Sequence, residues 1–508
     1  MFVVCRSGVR VAIFNSSCIP GACRLKLSIL KRVRIIDLVA IAQHASPRIS
    51  SDSITGSSAM KKDSFDTRQN FSSWLATVAL GLSVLAHADD ERYFVPQLLG
   101  AQYTLIQQHQ DALRSPYAGP LSLQPDGDTA RSHTFGAYLG VPLTAHLQFY
   151  FDLEMFKGEG VSGATGLGGL TNGDVIRSGT ATLGKRPYVA RRYLRYVMPL
   201  GDETADVERA PEQLPGKESV RRLEFKLGTL AANDDFDKNR YANSTRTQFA
   251  NWSLFNNTAW DFAADTRGYT NGLVVGWIEA GWALRYGVYQ MPKEANGQAL
   301  EWPVSRARGE NIELSWQPSA GGASVRLLVF RNTARMGLYR EALAVAQASG
   351  QVPDIRADDQ NGRRKFGYAL NADLPLADNG DTGLFARYGW SDGRKESFAF
   401  TEVDRSLSFG AQLSGAHWGR AQDHIGIGIV TNQLALDHRD YLAAGGSGFT
   451  LGDGRLNYAS EQIVETYYLF QPVKFFSLSP DLQLIHNPGY NRDRGPARFA
   501  GLRAHLEY

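Results

Sequence analysis

Along much of the chain, apolar and polar residues alternate one by one. In LQFYFDLEM, Leu147, Phe149, Phe151, Leu153 and Met155 are separated by Gln148, Tyr150, Asp152 and Glu154. A period of two puts one set of side chains on each face of a β-strand. The same alternation runs through LEFKLGT from Leu223, WALRYGV from Trp282, FGYALNADL from Phe366 and LSFGAQL from Leu407. Followed along the chain, it predicts strands over 99–108, 132–140, 146–156, 187–198, 221–230, 270–278, 282–290, 311–317, 324–331, 365–374, 383–390, 405–414, 424–431, 461–470, 478–486 and 499–508.

Alternation alone also fits a soluble sandwich, so the connections decide. They mostly run long then short: about 23 residues then VPLT, about 40 then EAG, about 20 then PSAGGA, about 33 then PLADNGDT, the layout of an outer-membrane barrel with long external loops and short periplasmic turns. One connection breaks the rule, a turn of about 22 residues after a loop of about 30. The final FAGLRAHLEY sets Ala500, Leu502, Ala504, Leu506 and Tyr508 against Arg503, His505 and Glu507, an amphipathic strand ending on an aromatic. In lipid every backbone amide needs an internal partner, so such a sheet has to close. The expected fold is all-β, a 16-stranded antiparallel transmembrane β-barrel. Asp152, Glu154, Arg191, Arg195, Glu224, Lys226, Arg285 and Arg326 share the inward phase of their strands, as a water-filled lumen requires.

The beginning of the chain has a different character. Lys61 and Lys62 precede the apolar WLATVALGLSVLA and the small-x-small Ala86-His87-Ala88, the three parts of a secretion signal in order. Residues 60–88 are expected to be a signal peptide cut after Ala88, residues 1–59 an upstream extension from a mis-set start codon, and residues 89–508 a single barrel domain. The clean apolar stretch near Trp74 is about 13 residues, short of the 20 or so that a membrane helix needs. Cys5, Cys18 and Cys23 all precede the barrel, so an exported chain would carry neither disulfides nor thiolate metal sites. With 54 Lys and Arg against 51 Asp and Glu, nucleic acid is not an expected partner.

Other chemistries find little support. DFDKNR at 235–240 opens like a calcium loop, but Arg240 stands where glycine is needed and Arg246 where glutamate is needed. The glycine clusters at 163–169 and 445–449 lack the strand-then-helix setting of phosphate loops. Neither G-x-S-x-G nor H-E-x-x-H occurs, and His417, His424 and His438 are the clustered candidates that a barrel hydrolase would have to use. No enzyme activity, metal or cofactor is expected.

Five segments, FDKNRYANSTRTQFANWSLFNNTAWDFAADTRGY (236–269), LVFRNTARMGLYREAL (328–343), GLFARYGWSDGRKESFAFTEVDRSLSFG (383–410), DHRDYLAAGGSGFTLGDGRLNY (437–458) and PDLQLIHNPGYNRDRGP (480–496), resemble the carbohydrate-selective porins of OprB type. The chain departs from them at Asn243-Ser244-Thr245, where an acidic residue and a proline are expected. The resemblance implies a sixteen-stranded outer-membrane porin that admits glucose and similar sugars. It also implies that the third external loop, 231–269, folds inward and narrows the pore.

That loop offers apolar faces at Phe249, Trp252, Phe255 and Trp260 and polar heads at Asp235, Asn239, Arg246, Asp265 and Arg267. These suit the CH faces and hydroxyl rim of a pyranose. The expected constriction is Arg191, Arg195, Glu224, Lys226, Arg285 and Arg326 from the wall with Asp235, Arg246, Trp252 and Arg267 from the loop. Expected partners are mono- and small oligosaccharides, outer-membrane lipid and lipopolysaccharide of a Gram-negative bacterium, and the barrel-assembly machinery through the Tyr508 strand. Monomer and homotrimer both stay open, as does a general or anion-preferring pore.

Overall fold

The computed structural model describes residues 93–175 and 186–508, and the expected signal peptide and upstream extension lie outside the described residues. Sixteen strands close into one antiparallel barrel: β1 (Leu98–Gln110), β2 (Asp128–Pro142), β3 (Leu147–Gly158), β4 (Tyr188–Pro199), β7 (Arg222–Leu230), β8 (Thr270–Glu279), β9 (Trp282–Gln290), β10 (Arg308–Trp316), β11 (Ser324–Met336), β12 (Gln360–Ala377), β13 (Thr382–Ser391), β14 (Arg405–Ser414), β15 (His424–Gln433), β16 (Glu461–Val473), β17 (Phe476–His486) and β18 (Ala497–Glu507). Each overlaps a strand that the alternation predicts. The first and last strands pair from Gln102↔Glu507 to Gln110↔Phe499, which leaves no open edge. Tyr508 completes the seam, its N–H donating to the Ala101 carbonyl at 2.9 Å and its carbonyl accepting from Ala101 at 3.1 Å.

The two faces separate as the pleat dictates. Leu284, Tyr286, Ile312, Leu314, Leu327, Val329, Leu407, Phe409, Ile427 and Leu502 are exposed on the outside, the apolar band expected of a barrel that meets lipid. Aromatics gather at both rims of this band: Trp277 and Trp282 lie 5.1 Å apart beside the short β8–β9 turn, and Tyr368 and Trp390 lie 5.5 Å apart toward the long loops. Among the described residues no helix is long and apolar enough to cross a membrane.

The alternation did not announce every element. The long turn after β4 carries a small hairpin of its own, β5 (Thr204–Val207) with β6 (Gly216–Ser219). Short helices stand in the long loops: α1 (Trp252–Phe255), α2 (Tyr339–Ser349) and α3 (Leu436–Ala443). Helix α2 is rich in alanine and ends on Gly350 at φ 67°, a left-handed position suited to glycine. Buried His438 of α3 stacks on Tyr339 at 4.3 Å and lies 3.0 Å from Asp404 and 3.6 Å from Glu402, which joins three external loops.

Candidate functional site in the lumen

A register shift between β3 and β4 sets the first part of the site. Val189 lies opposite Leu153 and Arg191 lies opposite Asp152, so Ala190 is an extra residue. This bulge reverses the facing of the strand, and Arg191 points inward although Val189, two residues away, points out. Arg191 then donates from Nε and Nη2 to the two oxygens of Asp234, at 2.7 and 2.8 Å, and from Nη1 to Asp152 at 3.2 Å. Glu212 stands 3.5 Å from the same Nη1.

Neighbouring charges are paired in the same manner. Arg195 holds both Glu218 and Glu224, each through a bond of 2.9 Å among others. Lys226 reaches Asp235 at 2.5 Å, and Arg326 reaches Asp373 at 2.8 Å. Arg246 bridges Asp174 and Glu154 at 3.1 and 3.3 Å. Paired guanidinium groups are held in fixed planes, so they can present a free edge to a hydroxyl with little further loss of side-chain freedom.

Segment 231–269 is tied to inward-facing side chains on β10, β12, β13 and β15 to β18. Glu465 accepts from the backbone of Ala250 and Asn251 at 2.6 and 3.0 Å, Gln483 accepts from the Asn251 amide at 2.9 Å, and Arg503 donates to the Thr245 carbonyl at 2.6 Å. Glu313 accepts from Asp237 N–H at 2.8 Å, and Asn371 accepts from Asn239 at 2.8 Å. Arg387 donates to the carbonyls of Leu254 and Ala242 and lies 3.1 Å from Asp237. Glycines on the wall leave room for this approach. A Cβ at Gly389 would meet Asn257 Oδ1 at 2.1 Å, and one at Gly428 would meet Leu254 Cδ2 at 2.5 Å.

Two cavities lie beside the segment, of about 580 and 470 Å³. Both are lined in part by Glu212, Asp234 and Lys238, so they adjoin at that trio.

The family model of the carbohydrate-selective porin, OprB family, matches residues 146–508. The chain belongs to this family. The putative porin QuiX of Acinetobacter baylyi is 23% identical over 310 residues, which span 56% of this chain and 66% of that protein, just under two thirds of its length. The high pH structure of Pseudomonas putida OprB matches with a TM-score of 0.61 at 16% identity, over 81% of this chain and 94% of that one, a likeness in fold. Membership of a porin family indicates the outer membrane as the location of this barrel.

Within this OprB-family barrel the expected site residues divide between the two cavities. Arg191, Arg246, Trp252 and Arg267 line the larger, toward the external loops. Arg195, Glu224, Lys226, Asp235, Arg285 and Arg326 line the smaller, which reaches the short-turn side at Ala280 and Gly281. The loop aromatics separate as well. Phe249 and Trp260 are buried, Phe249 against Phe385 and Tyr467 and Trp260 against Phe236 and Phe262, so neither offers a free face. Trp252, stacked on Phe400 at 4.9 Å, and Phe255 keep an edge on the larger cavity. Arg267 lies over the Tyr188 ring at 4.5 Å.

Asn239 and Asp265 are occupied in holding backbone and neighbours rather than lining either cavity. The calcium-like run is likewise engaged, Asp235 by Lys226 and Asp237 by Arg387. Ser244, at the departure from the family pattern, accepts from the N–H groups of Arg246 and Thr247 at 3.2 Å.

Sequence reasoning missed Glu212, Glu218, Asp234 and Lys238. Asp234 and Lys238 flank the named Asp235, and Glu212 and Glu218 sit in the turn whose length broke the alternation of connections.

Proposed function

We propose that the protein is a passive diffusion channel for mono- and small oligosaccharides in the outer membrane of a Gram-negative bacterium, with segment 231–269 narrowing the bore. The observation that carries this reading is the pair of adjoining polar cavities in a closed barrel, lined by arginines already held by carboxylates. Such pairs can donate to and accept from neutral hydroxyls at once. Trp252 and Phe255 add apolar edges for a sugar's CH face. Binding at these groups has to stay weak, because a solute held too well stops conduction. The lipid-facing band fits outer-membrane lipid and lipopolysaccharide, and the Tyr508 strand fits recognition by the barrel-assembly machinery.

Liposome swelling with a graded saccharide series tests the proposal, together with glucose titrated against single-channel current. Rapid swelling with glucose and saturable block are expected. Swelling that follows solute size alone, with no block, would leave an unselective pore. A second reading, an anion-preferring pore, draws on Arg285 and Lys238, which line the smaller cavity without an ion pair within 4.0 Å among the described residues. Reversal potential in a salt gradient separates the two.

A further inference from the structure

The connection 200–221 is long for the short-turn side of the barrel, and nothing in a minimal barrel requires it. Its base is the β5–β6 hairpin, fastened where Val220 N–H donates to Glu203 at 2.9 Å and Ser219 Oγ donates to Gly201 at 2.9 Å. Its tip does not hang into the periplasm. Leu214 is buried in the cluster that holds Leu98, Tyr138 and Tyr150, and its N–H donates to the Tyr150 hydroxyl at 3.1 Å. Tyr150 belongs to the inward face of β3. Arg209 donates to the Leu99 carbonyl at 2.6 Å, which holds the other arm of the tip to β1.

At the corner, Ala210 and Gln213 exchange backbone hydrogen bonds at 3.1 and 3.4 Å around Pro211 and Glu212. Glu212 has φ 51°, a left-handed conformation that glycine occupies more cheaply. A glutamate there bears a local conformational cost, and its carboxylate is what the position gains. It reaches Arg191, opposite Asp152, five residues into β3 and so roughly 16 Å along the strand at about 3.3 Å per residue. The turn therefore extends about halfway up the wall.

We infer that the tip of this periplasmic turn forms the inner wall of the neck between the two cavities, and that Glu212 is a specificity-determining residue which a passing sugar contacts. The inference deepens the sugar-channel reading and rests on it for the identity of the solute. Of the carboxylates around Arg191, Glu212 is the most distant, at 3.5 Å against 2.7 Å for Asp234 and 3.2 Å for Asp152. It is the partner that can be displaced while the wall stays intact. With Glu212 displaced from Arg191, a vicinal diol can bridge the two, one hydroxyl accepting from the guanidinium and the next donating to the carboxylate. The carboxylate also repels anionic solutes at the point where both cavities adjoin.

The test uses full-length protein in planar bilayers, with heat-modifiable gel migration to show folded barrel. Glu212→Ala should raise salt conductance by about 1.5-fold or more by widening the neck, and should weaken glucose block about tenfold through loss of one charged hydrogen bond. Residues 89–508 contain no cysteine, so Glu212→Cys gives a second arm, with the unsubstituted protein under the same reagent as the control for Cys5, Cys18 and Cys23. A charged methanethiosulfonate reagent should then cut the current of the conducting channel, and glucose should slow the reaction. Unchanged conductance in Glu212→Ala, with current insensitive to reagent in Glu212→Cys, overturns the inference. Absence of glucose block in the wild type would instead overturn the sugar reading, while the conductance and reagent results would still locate the wall.

Discussion

Arg387 is the sharpest test of how segment 231–269 is held. Its guanidinium, 2% exposed, donates to the carbonyls of Leu254 at 2.8 Å, Ala242 at 2.6 Å and Asp237 at 3.2 Å, and pairs with the Asp237 carboxylate at 3.1 Å. In Arg387→Ala those acceptors lose their partner. Asp237 keeps bonds from Asn371 at 2.6 Å and Asn257 at 2.8 Å but loses the cation that pairs with it among the described residues. Breaking a buried pair costs about 3–5 kcal/mol. At about 1.4 kcal/mol per decade, the population with this part of the segment released rises by roughly two to three and a half orders of magnitude.

The strand ladders are untouched, so the barrel should still fold and the change should appear in the pore. Single-channel recording should give higher conductance and added current noise, with normal heat-modifiable migration. Arg387→Met combined with Asp237→Asn removes both charges and should recover part of the wild-type behaviour, because no lone ion is then buried. Wild-type conductance and noise in Arg387→Ala would refute the claim that this ion pair holds the segment.

Three further outcomes are expected. Arg195→Ala should weaken glucose block about tenfold, the effect of one charge-assisted hydrogen bond, as read from a glucose titration of channel current. Gly428→Val should push Leu254 and Phe249 away from the wall at a cost of about 1–3 kcal/mol, seen as greater channel noise, whereas Ile427→Val on the lipid face should leave the current unchanged. Burial alone would lower the affinity of His438 for its proton, yet Asp404 and Glu402 hold the imidazole charged and lift its pKa to about 9. The contribution of this lock, roughly 3 kcal/mol, is therefore complete below pH about 6.5 and is lost as pH rises through about 9. Hydrogen exchange in α2 and α3 should accelerate across that range in the wild type. In His438→Gln it should be fast throughout, beyond the intrinsic rise of exchange with pH.

Barrel architecture was legible in the chain from the alternation taken together with the run of long and short connections. Period-two alternation in segments such as 147–155 and 499–508 leaves each strand with an oily face and a wet face, and a sheet of that kind in lipid can satisfy its backbone only by closing. The same parity assigned Glu224, Lys226, Arg285 and Arg326 to the lumen. Parity is a local property, fixed by the geometry of one strand.

Which charge meets which is not local, and it follows from how the whole chain packs. The partners of Arg191 come from the neighbouring strand, from segment 231–269 and from the turn 200–221, brought together by a bulge and by closure of the sheet. The fates of Trp252 and Trp260 differ for the same reason. Both were apolar residues in one loop, but Trp260 meets Asn311 of β10 and is buried, while Trp252 keeps an edge on the cavity. Contacts between segments so distant in sequence leave no periodic trace, because each depends on where the rest of the chain has already packed.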